Sequence, residues 1–130
     1  MREQAEAFGF GQELAIPMAV TPSRFPDATT QAELAQSAFG QFDVRVTPMQ
    51  MAMVASAIAN DGSLMRPYLV ERTLSPDLDV LRVTDPEELS VAMGEDSASQ
   101  MTEMMVDVVA NGTGFRAQIP GIDVAGKTGT

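Results

Sequence analysis

Thr47-Pro48-Met49-Gln50-Met51-Ala52-Met53-Val54-Ala55-Ser56-Ala57-Ile58-Ala59-Asn60 is the clearest helical stretch in the chain. Thr47 is a good N-cap, because its hydroxyl can accept from the N–H groups that a first turn leaves unpaired. Pro48 suits the first helical position, where no N–H is needed. Gln50 completes a T-x-x-Q capping box. Asn60-Asp61-Gly62 is a fitting stop. Met49, Met51, Ala52, Met53, Val54, Ala55, Ile58 and Ala59 put apolar groups nearly all round, which predicts a helix buried on most sides. The many alanines permit close approach of neighbouring elements.

Downstream, Ser97 to Asn111 (SASQMTEMMVDVVAN) predicts a second helix, with Ser97 and Gln100 as its capping box. Met101, Met104, Met105, Val108 and Val109 recur at i, i+3, i+4, i+7 and i+8, while Thr102, Glu103 and Asp107 face the other way. Such a helix covers a sheet or another helix with one side. Gly112-Thr113-Gly114 ends it, Ile119-Pro120-Gly121 turns the chain, and Asp123 onward predicts a final strand. Between the two helices, Tyr68 to Thr73 and Val80 to Thr84 predict two strands paired as a hairpin. Asp85-Pro86-Glu87-Glu88 carries a helix-start signature. Upstream, Arg2 to Ala7 is helix-prone and is stopped by Phe8-Gly9-Phe10-Gly11. Ile16 to Thr30 holds Pro17, Pro22 and Pro26 and predicts an irregular, extended connection. Gln31 to Ala38 predicts a further short helix, ended by Gly40. Helices and strands mix without regular βαβ alternation, so the fold class expected is α+β.

The chain has 130 residues and a formal net charge of −10, spread without a long acidic run. That disfavours nucleic acid, whose phosphates need a basic patch, and an anionic membrane surface. With no Cys and no His, disulfide frameworks, thiol nucleophiles and the commonest metal ligand and general base are excluded. No cofactor and no metal are expected. No apolar run reaches the roughly 18 residues that span a bilayer. Met1 to Ala7 carries acids and no apolar core, unlike a signal peptide. The methionines Met49, Met51, Met53, Met101, Met104 and Met105 fall at helical spacing and are assigned to packing rather than to a peptide groove. Glu87-Glu88 and Glu95-Asp96 stand at expected helix starts, where carboxylates suit the dipole. Ser97 and Ser99 have no base near them in sequence.

Asp123-Val124-Ala125-Gly126-Lys127-Thr128-Gly129-Thr130 gathers the chemistry. Lys127 is the only lysine, and two hydroxyls and two glycines flank it with almost no bulk. Such a segment suits close approach of an anionic ligand to the backbone, whose N–H groups can donate to an oxyanion. Ala125 to Thr130 (AGKTGT) resembles the K-T-G element of penicillin-binding proteins and serine β-lactamases. Gly112-Thr113-Gly114 resembles the G-T-A step that precedes it, with Gly114 for the usual Ala. Gly40-Gln41, Thr47 to Ala52 (TPMQMA) and Ile58 to Gly62 (IANDG) resemble, in order and spacing, G-Q, T-P-L-Q-M-A and I-A-N-x-G of the transpeptidases. Phe8-Gly9-Phe10-Gly11 resembles their glycine-rich step further upstream. The resemblance covers nearly the whole chain, and Gln36 to Leu69 looks most like the monofunctional class of actinobacterial type. The family's S-x-x-K and S-x-N motifs do not occur here: position 124, where that serine would stand, is Val124.

The resemblance implies a partial penicillin-binding-protein/β-lactamase-like fold, helices packed on an antiparallel sheet and truncated at both ends. Residues 1–130 would be the C-terminal part of a transpeptidase domain, between S-x-N and K-T-G. It implies a D,D-transpeptidase that cross-links peptidoglycan stem peptides by serine acyl transfer, at the extracytoplasmic face of the cell membrane, and is acylated by β-lactams. Lys127 and Thr130 would then be catalytic, the latter through its N–H in the oxyanion hole. Thr128, Gly129 and Thr130 would bind substrate. Without the nucleophile, the 130-residue chain is expected to be inactive alone. It is also expected to expose apolar surface on the Thr47–Asn60 or Met101–Val109 helix and to self-associate. Two alternatives stand beside this: a non-catalytic acidic α+β binding module derived from the fold, and a serine β-lactamase relative. The T-P-M-Q-M-A and I-A-N-D-G pattern favours the transpeptidase branch over the latter.

Overall fold

The computed structural model describes residues 1–14, 16–28 and 30–129. Four α-helices are assigned among them: α1 (Arg2–Ala7), α2 (Gln31–Ala38), α3 (Pro48–Ala59) and α4 (Glu95–Ala110). Between α3 and α4 lie β1 (Ser63–Met65), β2 (Arg72–Leu74), β3 (Val80–Val83) and β4 (Glu88–Val91). The expected α+β class is what forms. β1 pairs antiparallel with β4, with Ser63 opposite Val91 and Leu64 opposite Ser90. β2 and β3 form a separate antiparallel hairpin inside the β1–β4 connection, with Arg72 opposite Val83.

The core is small and sits where α3 crosses β1. Met53, Ala57, Leu64 and Ala92 are buried there, and Phe8, Leu14, Met49 and Leu89 pack round them. Full burial of one large apolar side chain stabilises by about 1.5–3 kcal/mol. α1 is tied to this core by polar bonds. Ser90 Oγ donates to the Ala7 carbonyl at 2.6 Å, and Gln4 Nε2 donates to the Ala92 carbonyl.

α3 begins as its sequence predicts: Thr47 Oγ1 accepts from Gln50 N at 3.1 Å. The reciprocal half of the capping box does not form. Gln50 is buried, and its Nε2 donates instead to the Phe8 carbonyl at 2.6 Å. Thr47 N donates to Ser23 Oγ at 3.2 Å. A tertiary partner thus displaces the local one. The expectation of burial on most sides is also corrected. Gln50, Met53 and Ala57 make one buried stripe, whereas Met51 is 48% exposed.

Gly62 ends the turn after α3, with φ +90°. Its carbonyl accepts from Ala92 N at 2.8 Å, which fastens α3 to the end of β4. A Cβ there would stand 2.0 Å from the Met93 carbonyl oxygen, so only glycine fits.

Three other expectations change. β4 occupies the ground of the Asp85–Glu88 helix start, because Glu88 to Val91 find a ladder partner in β1 that outweighs a local capping signal. β2 starts at Arg72 rather than Tyr68, since its partner β3 ends at Val83; one further bond, Thr84 N to Glu71 O, extends the pairing. α4 starts at Glu95, with Gly94 as N-cap and no side-chain cap, so Ser97 lies inside the first turn and cannot cap it. Glu95 and Asp96 do occupy that first turn, where their charges suit the helix dipole. α2 carries a complete capping box between Thr30 and Glu33.

Candidate functional site

α4 is the platform of the site. Ala98 and Val109 are its buried residues. Thr102, expected to face away, lines the groove between α3 and α4 with Ala55, Ala59 and Met105, while Met104 is 58% exposed. The least exposed residues of α4, Ala98, Met101, Thr102, Met105, Val106, Val108 and Val109, form a face that takes in Thr102 and Val106 and leaves out Met104. The packing assignment of the methionines holds for Met53 in the core and Met49 against it, Met101 and Met105 are partly buried, and Met51 and Met104 are exposed.

At its C-terminal end α4 is closed by the next segment of chain. Gly114 N donates to the Val108 carbonyl at 2.9 Å, so the Gly112-Thr113-Gly114 turn folds back over the last helical turn. A Cβ on Gly112 would lie 2.8 Å from that same oxygen. After a short 3-10 helix (Phe115–Ala117), the Gln118 amide donates to the carbonyls of Val109 and Ala110 at 3.0 and 2.9 Å. These are among the carbonyls that a helix end leaves without intrahelical partners.

The chain then turns through Ile119–Ile122 and returns across α4. Asp123 to Gly129, expected as a strand, joins no sheet among the described residues, because no neighbouring strand supplies a ladder. It is held by its seat on the helix instead. Gly126 N donates to the Met105 carbonyl at 3.0 Å. Gly126 lies so close to Val109 that a Cβ would stand 3.0 Å from Val109 Cγ2. Val124 lines a cavity of about 480 Å³ shared with Val106, Val109, Phe115 and Ile119. Ala125 closes the α3–α4 groove.

That seating presents the polar residues outward. Lys127, Thr128 and Gly129 are all exposed. Lys127 makes no ion pair among the described residues, and its Nζ donates to the Thr128 carbonyl at 2.6 Å. Thr128 Oγ1 meets Thr113 Oγ1 at 3.3 Å. Among the described residues, no atom beyond its chain neighbours lies within 4 Å of where a Gly129 Cβ would stand, so its backbone can be approached closely. Thr130, the fourth site residue expected, lies outside the described residues. Ser97 and Ser99 are exposed near the start of α4; Ser97 precedes Val109 by twelve residues, roughly 18 Å of helix. Glu87 is not paired with a second acid. It accepts two bonds from Arg66, at 2.7 and 2.8 Å, which hold its carboxyl below the ordinary carboxylate range. Residue order alone does not predict the Thr113–Thr128 meeting; the sequence marks it by the glycine on each side of Thr113.

The sequence model of the penicillin binding protein transpeptidase domain matches residues 1–130. The peptidoglycan D,D-transpeptidase PbpA of Mycolicibacterium smegmatis is 40% identical, across 100% of this chain and 26% of its own length. Penicillin-binding protein A from Mycobacterium tuberculosis, solved as an imipenem acyl-enzyme complex, superposes with a TM-score of 0.88 at 36% identity. That match covers 99% of this chain and 30% of the solved one. The D,D-transpeptidase domain of a peptidoglycan glycosyltransferase from Eggerthella lenta gives a TM-score of 0.85 at 36% identity, covering 98% and 35%. The chain thus spans 26% of the length of the first curated relatives it matches.

Proposed function

The chain belongs to the penicillin-binding protein transpeptidase family, and on that premise we propose that it forms one wall of the cleft of a D,D-transpeptidase. The observation that carries this is the outward display of Lys127, Thr128 and Gly129 from a segment clamped to α4. In this proposal residues 1–130 are the part of a transpeptidase domain between S-x-N and K-T-G. The reaction is acyl transfer from a stem peptide ending in D-Ala-D-Ala. A serine outside these residues attacks the penultimate D-Ala carbonyl, the terminal D-Ala leaves, and an amine of a neighbouring peptide then takes the acyl group.

Each wall residue has a distinct task. Lys127 places positive charge beside the terminal carboxylate and the nucleophile, and helps relay a proton. The Thr128 hydroxyl donates to the carboxylate. Gly129 lets the peptide lie along the segment as an added strand. Thr130 supplies a hydroxyl to the carboxylate and a backbone N–H to the oxyanion, a donor typically worth about 2.7–4 kcal/mol in the transition state. β-Lactams acylate the same serine. The whole protein works at the extracytoplasmic face of the cell membrane; no helix among the described residues is long and apolar enough to cross a membrane. Alone, the 130 residues are inactive and self-associate through Met51 on α3 and Met104 on α4.

Labelling with a fluorescent penicillin tests the proposal. The transpeptidase domain that contains this chain should label covalently, and Lys127→Ala should slow labelling by about 100-fold or more. The 130-residue chain alone should not label, because it holds no S-x-x-K. A covalent adduct on the chain alone, or an unlabelled domain, would refute it.

A further inference from the structure

Thr113 and Thr128 are fifteen residues apart in sequence, yet their hydroxyl oxygens meet at 3.3 Å. Each hydroxyl carries one proton, so only one of them donates across that contact. Both sides of the contact are fixed to the same helix. Thr113 sits between two glycines pressed on α4: Cβ atoms on Gly112 and Gly114 would lie 2.8 and 3.0 Å from the Val108 carbonyl oxygen. Thr128 comes two residues after Gly126, whose N–H is bonded to the Met105 carbonyl. The meeting of the hydroxyls is therefore set by α4 before any ligand arrives.

We infer that Thr113 is a positioning residue for carboxylate recognition, its hydroxyl donating to Thr128 Oγ1 and so directing the Thr128 proton outward to the ligand. The inference rests on the role proposed above for Thr128. A carboxylate accepts and cannot donate, so Thr128 must direct its single proton to it. That fixes the direction of the buttressing bond: Thr113 gives and Thr128 receives. Two hydroxyl bonds in series polarise one another, which strengthens the outer one toward a charged acceptor. The Lys127 ammonium, bonded to the Thr128 carbonyl, adds positive charge on the same residue.

The test is the second-order rate of acylation of the transpeptidase domain by a penicillin and by its carboxyl methyl ester. Thr113→Val keeps the shape and removes the donor. It should slow acylation by the free acid by about 5- to 10-fold, the worth of one hydrogen bond, and leave the ester within about twofold. Thr113→Ser should restore the acid rate. No loss with the acid, or an equal loss with acid and ester, overturns the inference; equal loss with a lowered melting temperature would assign Thr113 a purely structural role. A wild-type domain that is not acylated by the acid at all would instead refute the proposed function, and the inference with it.

Discussion

Replacing Gly62 by alanine probes the joint between α3 and β4 at a single atom. Gly62 has φ +90°, a conformation that costs an L-residue about 1–2 kcal/mol. The new methyl carbon would also stand 2.0 Å from the Met93 carbonyl oxygen and 2.8 Å from its carbon. Both are backbone atoms, so no side-chain rotation relieves the overlap. The turn must open instead. Opening it loosens the bonds that Gly62 O accepts from Ala92 N and Met93 N, at 2.8 and 3.4 Å. Each is worth about 0.5–1.5 kcal/mol. Ala92 is buried in the core, so its packing is disturbed as well. Conformation and bonds together come to about 2–5 kcal/mol, a large share of the roughly 5–15 kcal/mol that holds a domain folded. Gly40→Ala is the control: it has φ +81° but open space at its Cβ position, and should cost only the conformational part. Urea unfolding with a constant m-value measures both. If Gly62→Ala costs no more than Gly40→Ala, the close contact between the turn and Met93 is wrong.

Glu87 provides a pH test. Its carboxyl is held below the ordinary value of 4.5, first by hydrogen bonds from Arg66 and also by that guanidinium's charge, against an opposing desolvation effect. A depressed folded value means that the pair's stabilisation is present above 4.5 and is lost as pH falls through the folded value. A carboxyl titration followed by NMR should show Glu87 moving back up to ordinary behaviour in Arg66→Met; an unchanged titration would exclude the pairing. For the chain alone, sedimentation velocity should show association that rises with concentration and is abolished by Met51→Glu with Met104→Glu. A wild-type chain that stays monomeric across the range would rule out association through α3 and α4.

Local signals predicted elements better than faces. Thr47, Pro48 and the Asn60-Asp61-Gly62 stop act within one or two turns, so α3 begins and ends as expected. Gln50 went elsewhere because the Phe8 carbonyl, 42 residues away in sequence, offers a bond that the capping box cannot foresee. On α4, Met101 and Met105 are partly buried as the spacing predicts, but Met104 is exposed and Thr102 lines the groove in its stead. Glu87 and Glu88 carry a helix-start signature, but β1 passes alongside and draws Glu88 to Val91 into β4.

The site divides in the same way. The chemistry of Lys127, Thr128 and Gly129, and the family to which it points, are properties of residue type and order, so both can be read from the chain unfolded on paper. Their outward presentation is not local. It comes from one bond between Gly126 and Met105, from glycines thin enough to lie on Val108 and Val109, and from a hydroxyl on a different turn. That Thr113 meets Thr128 is a property of the fold, because contact between residues fifteen positions apart depends on how the intervening chain closes.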